Sequence, residues 1–392
     1  MLRATMVSLS MAAMVVITGC LGGAEALAPC DSLSTGSSIC DLTNPEDLGF
    51  LPDRSWIIVS EMALNERAAK EEGAVEEGVV SSHGRLTAIR LADSEKRLLF
   101  PTASGEASAE TLEQSTPDPT QSEKSSTRWG DEDCPGEPDP AIFGPHGIDV
   151  GHRPDGQPVL AVVNHGGREA VEFFEILSGD VPALAWRGCV LMPEGISIND
   201  VAFLPSGGFV VTNFMPAFEG VGLKAIWTMI KVSLGARTGS VLRWTPGEAI
   251  QEIENSEGSA PNGIVVSADG SQIYVAEWGG ESLYRLRLSD QGPPLRDEVE
   301  LDQNPDNMTW MRDGRLLVAG QHGGVSASLS CASVEDAGCD IGYSVYVVTP
   351  TGLEATKLFE GRGAASVALE VGEEIFVGFF IGDQIERVER TD

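Results

Sequence analysis

A short polar turn followed by an apolar, strand-like run recurs along most of this 392-residue chain. The runs are rich in Val, Ile and aromatic residues, which favour β-strands. Six copies can be aligned, and they recur about every 40 to 60 residues apart from one longer gap. The copies are LPDRSWIIVSE, RPDGQPVLAVVNH, LPSGGFVVTN, SADGSQIYVAE, MRDGRLLVAG and LEVGEEIFVGF, which begin at residues 51, 153, 204, 267, 311 and 369.

This repeat limits the fold class. No long amphipathic helical pattern interrupts the copies, and each interval has room for a few strands with their turns. Such units fit radial blades around a channel better than they fit a sandwich. The sequence therefore predicts an all-β fold, a six-bladed β-propeller with a central channel, over residues 44–392.

The longer gap contains a segment of different composition at about residues 101–140. It is rich in Ser, Thr, Pro, Glu and Gly and has almost no aliphatic periodicity, so it cannot bury enough apolar surface to order itself. We expect a disordered surface insertion, with Cys134 fixing its return to the propeller.

The first residues, MLRATMVSLSMAAMVVITGC, predict export. One cation precedes an apolar stretch that is short for a bilayer span, which is the pattern of a signal peptide over residues 1–19. The ending ITGC resembles a bacterial lipobox, so we expect a lipid on Cys20 and a lipid-anchored linker over residues 20–43. The expected location is the cell envelope as a lipoprotein; a plain cleaved signal, giving a periplasmic or secreted protein, is the alternative.

Six cysteines follow Cys20, and an even number in an exported chain favours disulfides. No CxxC pair is present in the sequence, which disfavours a zinc site. Six cysteines allow 15 connectivities. The preferred pairing is local for Cys30 with Cys40 and for Cys331 with Cys339, which leaves Cys134 with Cys189.

Charge restricts the partners. The formal net charge is −33 at pH 7, which repels nucleic acid and anionic membrane surfaces. We expect no nucleic-acid partner, and membrane contact only through the lipid on Cys20.

Polar residues recur at one offset from the turns of the repeat. Seven residues ahead of the turn position, four copies carry an oxygen-bearing side chain: Glu46, Asn199, Asn262 and Asp306. The second copy has His146 and Gly147 at the equivalent place, and the sixth has Ala365 and Ser366. In a propeller, equivalent positions lie at equal radius and height, so these side chains should meet at one mouth of the channel, with Asn307 beside Asp306.

Carboxylate and amide oxygens suit a hard cation. Ca²⁺ accepts about six to eight oxygen ligands, whereas Mg²⁺ prefers a stricter octahedron with several waters. The candidate Ca²⁺ ligands, with a net charge of −2, are Glu46, Asn199, Asn262, Asp306 and Asn307. Taken one at a time, each is more often a turn former than a ligand, but at one repeated offset they favour a metal site.

An ordered set of motifs also resembles a known family. The motifs are NPEDLGFLPD, FGPHGIDV, VVNHGG, INDVAFLP, APNGIVVSADGSQIYVAE, PDNMTW and GAASVALEVGEEIFVGFF. In this order they resemble the paraoxonases, which are calcium-dependent lactonase and arylesterase propellers, related more distantly to gluconolactonases and strictosidine-synthase-like proteins.

The resemblance implies a catalytic Ca²⁺ at the five candidate ligands and a second, structural Ca²⁺ held by Asp47, Asp200 and the backbone carbonyl of Ile148. It further implies that His146 activates the attacking water and that His165 assists it. The alternative for both histidines is a hydrogen-bonded structural role, which competes more strongly for His165 than for His146.

These features predict a calcium-dependent hydrolase of small-molecule lactones and aryl esters. Ca²⁺ would polarise the carbonyl, and His146 would deprotonate water. The sequence has no GxSxG motif, which disfavours an acyl-enzyme route. Two alternatives stay open: a metal-free condensing enzyme of the strictosidine-synthase type, and a non-enzymatic, calcium-stabilised surface propeller that binds a glycan or a protein.

Overall fold

A computed structural model describes residues 24–30, 37–62, 83–101, 129–218, 222–289, 292–331, 334 and 337–390. The predicted signal peptide, Cys20 and the greater part of the predicted insertion, residues 102–128, lie outside these residues. Six sheets, antiparallel apart from one short parallel pair at the edge of the second sheet, are arranged as blades in a ring, so the predicted six-bladed β-propeller is confirmed.

The blades are numbered along the chain. Blade 1 contains β2 Pro45–Phe50, β3 Trp56–Glu61, β4 Arg85–Arg90 and β5 Lys96–Phe100. Blade 2 contains β6 Trp129–Gly130, β7 Pro145–His152, β8 Pro158–Asn164, β9 Ala170–Leu177 and β10 Ala183–Leu191. Blade 3 contains β11 Ile196–Phe203, β12 Phe209–Pro216, β13 Ser240–Trp244 and β14 Gln251–Glu252.

The second half of the ring has the same plan. Blade 4 contains β15 Pro261–Val266, β16 Gln272–Glu277, β17 Ser282–Arg287 and β18 Leu295–Glu300. Blade 5 contains β19 Asn304–Trp310, β20 Leu316–Gln321, β21 Gly342–Thr349 and β22 Glu354–Arg362. Blade 6 contains β23 Ala364–Val371, β24 Glu374–Ile381 and β25 Ile385–Glu389, with β1 Ser38–Ile39 as its outermost strand. The helical segments are α1 Leu223–Ser233, α2 Gly324–Cys331 and a 3₁₀ turn at Trp278–Gly280.

The recurring turn motif closes the first hairpin of four blades. In each of these turns an aspartate Oδ1 accepts the backbone N–H two residues later at 3.0 to 3.1 Å. Such a side-chain bond replaces one that the turn backbone cannot make itself. The four residues are Asp53, Asp155, Asp269 and Asp313.

The apolar runs are continuous because each central strand is covered on both faces. Ile57 and Ile58 are both fully buried: Ile58 packs in the cluster shared with blade 2, and Ile57 packs in the cluster shared with blade 6. Similar clusters fill the other interfaces between blades. Each side chain buried in this way contributes about 1.5 to 3 kcal/mol.

The N-terminal segment closes the ring. Ile39 pairs with Ile385 and Ser38 with Glu386, so β1 completes blade 6, and the Cys30–Cys40 disulfide flanks this strand. The predicted linker over residues 20–43 is therefore part of the propeller from residue 38 onward. The physical reason is that the outer edge of β25 would otherwise present unpaired backbone groups.

Two other features differ from the expectations. The segment predicted as a disordered insertion to residue 140 is ordered from residue 129, because Trp129 is buried against blade 2 and Cys134 is bonded to Cys189. Helix α1, which the sequence reading did not predict, follows β12. Among the described residues, no helix is both long and apolar enough to cross a bilayer.

The three disulfides Cys30–Cys40, Cys134–Cys189 and Cys331–Cys339 are present, so the preferred pairing is confirmed. Disulfides of this kind are typical of proteins that leave the reducing cytosol, and they point to an exported protein.

Candidate metal centre and active site

The innermost strand of every blade is irregular at the predicted position. The pairing of each strand with its neighbour shifts register there, as in a β-bulge, and bulges redirect side chains out of the ladder. The shifts occur at Glu46, at His146 and Gly147, at Asn199 and Asp200, at Asn262 and Gly263, at Asp306 and Asn307, and at Ser366. This explains how consecutive residues such as Asp306 and Asn307 both reach the channel.

Glycine is required at one bulge because two strands approach closely. A Cβ atom added at Gly147 would lie 2.4 Å from Asp200 Oδ1 and 2.6 Å from Asp200 Cα. The small residue therefore lets blade 2 approach the carboxylate of blade 3.

The five candidate ligands of the first Ca²⁺ are buried in one region of the channel. Asn307 Nδ2 donates to Glu46 Oε1 at 2.7 Å, and Ser366 Oγ donates to the backbone oxygen of Glu46 at 2.6 Å. Glu46, Asn199, Asn262 and Asp306 also line the floor of a cavity of about 440 Å³. The structure thus brings together the residues that were selected by their offset from the turns.

Four oxygens of this cluster are buried without a hydrogen-bond partner: Glu46 Oε2, Asn199 Oδ1, Asn262 Oδ1 and Asn307 Oδ1. Leaving a buried polar atom unpaired costs about 1 to 3 kcal/mol. Unpaired acceptors from four blades in one place are the arrangement that a hard cation stabilises, so the donor set fits Ca²⁺.

The charges in the cluster support the same fit. Burial, followed by repulsion from Glu46, raises the pKa of Asp306 to about 8, against an ordinary value of 3.8. For His146, burial lowers the pKa, but attraction to Glu46, the hydrogen bond with it, and attraction to Asp306 and Asp47 together outweigh burial, so the pKa is raised. Among the described residues, no group of three or more His, Cys, Asp and Glu side chains is arranged to hold a metal. A cation at this cluster would therefore depend on the asparagine oxygens.

Asp47, Asp200 and Ile148 also lie together, deeper in the channel, where they line a second cavity of about 290 Å³. Asp47 Oδ2 accepts the N–H of Ile148 at 2.8 Å, and Asp200 Oδ2 accepts the N–H of Ile264 at 2.8 Å. Burial raises the pKa of both aspartates well above the ordinary value, with added repulsion from Glu46 on Asp47 and from Asp47 on Asp200. Because their oxygens accept backbone N–H groups, the need for a cation is weaker here than at the first cluster.

The two candidate catalytic histidines lie side by side at the edge of the larger cavity. His146 Nδ1 and His165 Nε2 are 2.9 Å apart, and His146 Nε2 lies 3.5 Å from Glu46 Oε1. On the far side, His165 Nδ1 is 3.0 Å from Glu169 Oε2. The pair therefore connects the carboxylate of the metal cluster to a second carboxylate in blade 2.

The wall of the larger cavity is mainly apolar. Helices α1 and α2 and the ends of neighbouring strands contribute Phe214, Met215, Met229, Val232, Leu329 and Phe380. A small molecule with an apolar portion and a polar reacting group would match this cavity, with its polar group toward the floor.

The sequence reading missed three features of the site. Helix α1 was missed although its apolar residues recur at helical spacing in LKAIWTMIKVS. Gln321 was missed; its Nε2 donates to Asp306 Oδ2 and its Oε1 accepts from Trp278 Nε1. Glu169 was also missed, since no local motif marks a carboxylate four residues after a histidine as its partner.

The sequence of this chain is similar to one protein family and to one human protein. The sequence model of the arylesterase family matches residues 123–343. Human serum paraoxonase/lactonase 3 is 26% identical over 186 residues, which are 47% of this chain and 50% of that protein. This chain therefore matches about half the length of that relative.

The solved structures to which this chain is similar are more distant in sequence. A luciferin-regenerating enzyme is 11% identical with a TM-score of 0.50, covering 89% of this chain and 92% of its own. A gluconolactonase from Xanthomonas campestris is 14% identical with a TM-score of 0.48, covering 93% of this chain and 95% of its own. At 11% identity, the similarity to the luciferin-regenerating enzyme shows a shared fold and nothing finer.

Proposed function

This chain belongs to the arylesterase family, and from that membership we propose that it is a calcium-dependent hydrolase of lactones and aryl esters. Membership supports a lactone or ester hydrolase in general. The dependence on calcium and the assignment of His146 as the base are our own inferences.

The observation that carries the proposal is the group of four unpaired buried oxygens, three of which belong to residues that line the floor of the larger cavity. We propose that Glu46, Asn199, Asn262, Asp306 and Asn307 hold a catalytic Ca²⁺ there. A bound Ca²⁺ supplies Lewis-acid polarisation of the substrate carbonyl.

The side chains perform the proton transfers. His146 Nε2 takes a proton from a water molecule, and the resulting hydroxide adds to the acyl carbon of the substrate. The bond between the acyl carbon and the leaving oxygen then breaks. That oxygen receives the proton back from His146, so a lactone yields a hydroxy acid and an aryl ester yields an acid and a phenol. His165 orients His146 throughout.

We propose a second, structural Ca²⁺ at Asp47, Asp200 and the carbonyl of Ile148. Two neighbouring buried carboxylates with raised pKa values support it. Its role would be to hold blades 1, 2 and 3 at fixed spacing beneath the catalytic cluster.

A lipid on Cys20 remains a proposal, and it would keep the exported enzyme at the cell envelope.

The test is hydrolysis of γ-lactones, δ-lactones and phenyl acetate by the purified protein, with calcium and with a chelator. Asp306→Ala should lose calcium binding and turnover together, whereas the exposed Asp302→Ala should change neither. His146→Ala should retain calcium affinity within about threefold and lose about 10² to 10⁴ in kcat. Full turnover after chelation would contradict the metal assignment, and an unchanged rate in His146→Ala would remove the base.

A further inference from the structure

Two histidines and two carboxylates form one continuous chain at the edge of the larger cavity. The contacts run from Glu169 Oε2 to His165 Nδ1 at 3.0 Å, from His165 Nε2 to His146 Nδ1 at 2.9 Å, and from His146 Nε2 to Glu46 Oε1 at 3.5 Å. Four ring nitrogens therefore take part in three contacts, and the protons on them determine which nitrogen is free.

When both rings are neutral, they carry only two protons for these three contacts. A neutral imidazole has one N–H donor and one bare acceptor nitrogen. The contact between the rings needs one proton, because two bare nitrogens 2.9 Å apart repel each other. The other proton must serve one of the two carboxylates, and the opposite end of the chain is left with a bare nitrogen.

The distances decide which end keeps the proton. A separation of 3.0 Å is a hydrogen bond, whereas 3.5 Å is at the limit where such bonds become weak. His165 Nδ1 therefore donates to Glu169, His165 Nε2 accepts from His146 Nδ1, and His146 Nε2 is the bare nitrogen. That nitrogen faces Glu46 and the cavity.

Resting on the proposed hydrolase function, we propose that Glu169 is a positioning residue that fixes the tautomer of His165 and, through it, the tautomer of His146. The carboxylate does not take up the proton itself; it keeps the proton-accepting nitrogen of His146 on the cavity side. After His146 Nε2 accepts a proton from water, the chain carries three protons for three contacts. Both carboxylates then stabilise the charged pair.

Glu169 is itself held in place at both ends. Its Oε1 accepts the backbone N–H of Ile198 at 2.6 Å, next to the candidate ligand Asn199, and its backbone oxygen accepts the N–H of Met192 at 2.9 Å. Its two carboxylate oxygens therefore face two donors, one on Ile198 and one on His165.

This double acceptor role makes an isosteric test possible. A glutamine at position 169 has one oxygen and one amide nitrogen, so it cannot accept from both donors. If its oxygen keeps the bond to Ile198, its nitrogen donates to His165 Nδ1, and the tautomers of both histidines invert. His146 Nε2 then carries a proton and cannot act as a base.

The experiment compares wild type, Glu169→Gln and the exposed control Glu194→Gln, all loaded with calcium. We expect Glu169→Gln to lose about 10²-fold or more in kcat for a δ-lactone, with KM and calcium affinity within about threefold of wild type. Glu194→Gln should match wild type. Nitrogen-15 NMR of the imidazoles should show His146 protonated at Nδ1 in wild type and at Nε2 in Glu169→Gln.

A wild-type spectrum with the proton of His146 on Nε2 would overturn the proposal, and so would an unchanged kcat in folded Glu169→Gln. If Glu169→Gln does not fold, the wild-type spectrum alone decides. If wild type hydrolyses no lactone or ester, the proposed function fails, while the spectrum still tests the tautomers independently.

Discussion

Asn307 and Glu46 join blade 5 to blade 1 across the channel, with Asn307 Nδ2 donating to Glu46 Oε1 at 2.7 Å over 261 positions of sequence. The bond uses the amide nitrogen of one residue and a single oxygen of the other. Asn307 Oδ1 and Glu46 Oε2 are left buried and unpaired. The contact therefore orients two acceptors toward the cluster, which preorganises them for a cation.

The unpaired oxygen of Asn199 predicts opposite effects on stability and on calcium binding. In Asn199→Leu, the removal of a buried unpaired acceptor should raise the unfolding free energy of the calcium-free protein by about 1 kcal/mol. The loss of a ligand should weaken calcium binding by about tenfold or more. Urea unfolding in chelator and calorimetric titration measure the two quantities.

The matched control for that substitution is Asn164→Leu. Asn164 is also buried, but its oxygen accepts from Gly144 and Gly166 and its nitrogen donates to Glu172. This change should destabilise the protein with or without calcium. If Asn199→Leu behaved like Asn164→Leu in chelator, the oxygen of Asn199 would have a role in the fold itself.

The pKa of Asp306 predicts how the stability of the calcium-free protein depends on pH. The pKa is raised from 3.8 to about 8 by burial and by Glu46, so between these values the folded chain holds a proton that the unfolded chain releases. The unfolding free energy must therefore fall as the pH rises from about 4 to 8, by up to about 1.4 kcal/mol per unit for each such proton. The raised pKa values of Asp47 and Asp200 also make the unfolding free energy fall as the pH rises.

Thermal unfolding at pH 6, 7, 8 and 9, with chelator and with millimolar calcium, measures this effect. Tm should fall with pH in chelator and stay nearly level in calcium, because a bound cation keeps the carboxylates ionised over this pH range. Asp306→Asn should reduce the slope in chelator. Equal slopes under both conditions would mean that no cation binds at these carboxylates.

The candidate ligands were predictable from sequence because the hairpin that follows each of them has constant length. Glu46 and Asp306 lie seven residues ahead of equivalent turns, and a propeller converts that equal spacing into equal depth. Gln321 was not predictable, because its contact with Asp306 depends on the pairing of β20 with a bulged β19. Glu169 reaches His165 only because its loop is fixed by bonds from Met192 and Ile198.

The Cys134–Cys189 disulfide predicts a loss of stability with little loss of function. It joins residues 55 positions apart and lies at the outer edge of blade 2. Replacing both cysteines by alanine should cost about 4 kcal/mol of unfolding free energy in the chain-entropy model. The short Cys331–Cys339 bridge, with a separation of 8, should cost about 2.5 kcal/mol when it is removed in the same way.

Urea unfolding of the two double variants measures these differences, and calcium affinity serves as the internal control for the site. The Cys134 and Cys189 variant should bind calcium as wild type does. A larger loss from removing the short bridge would show that strain or local packing, and not loop length, sets the contribution of these disulfides.

The closing strand predicts where the ring opens first. Ile39 is buried, pairs with Ile385 and packs in the cluster between blades 6 and 1, so it holds the outer strand of the last blade in place. Ile39→Ala should cost about 2 to 5 kcal/mol through the cavity it creates. Leu98→Ala, on the half-exposed outer strand of blade 1, should stay within about 0.5 kcal/mol of wild type.

Hydrogen exchange should show the amides of β25 losing protection in Ile39→Ala before those of β16. Uniform loss of protection across all blades would instead mean that the ring unfolds as one unit.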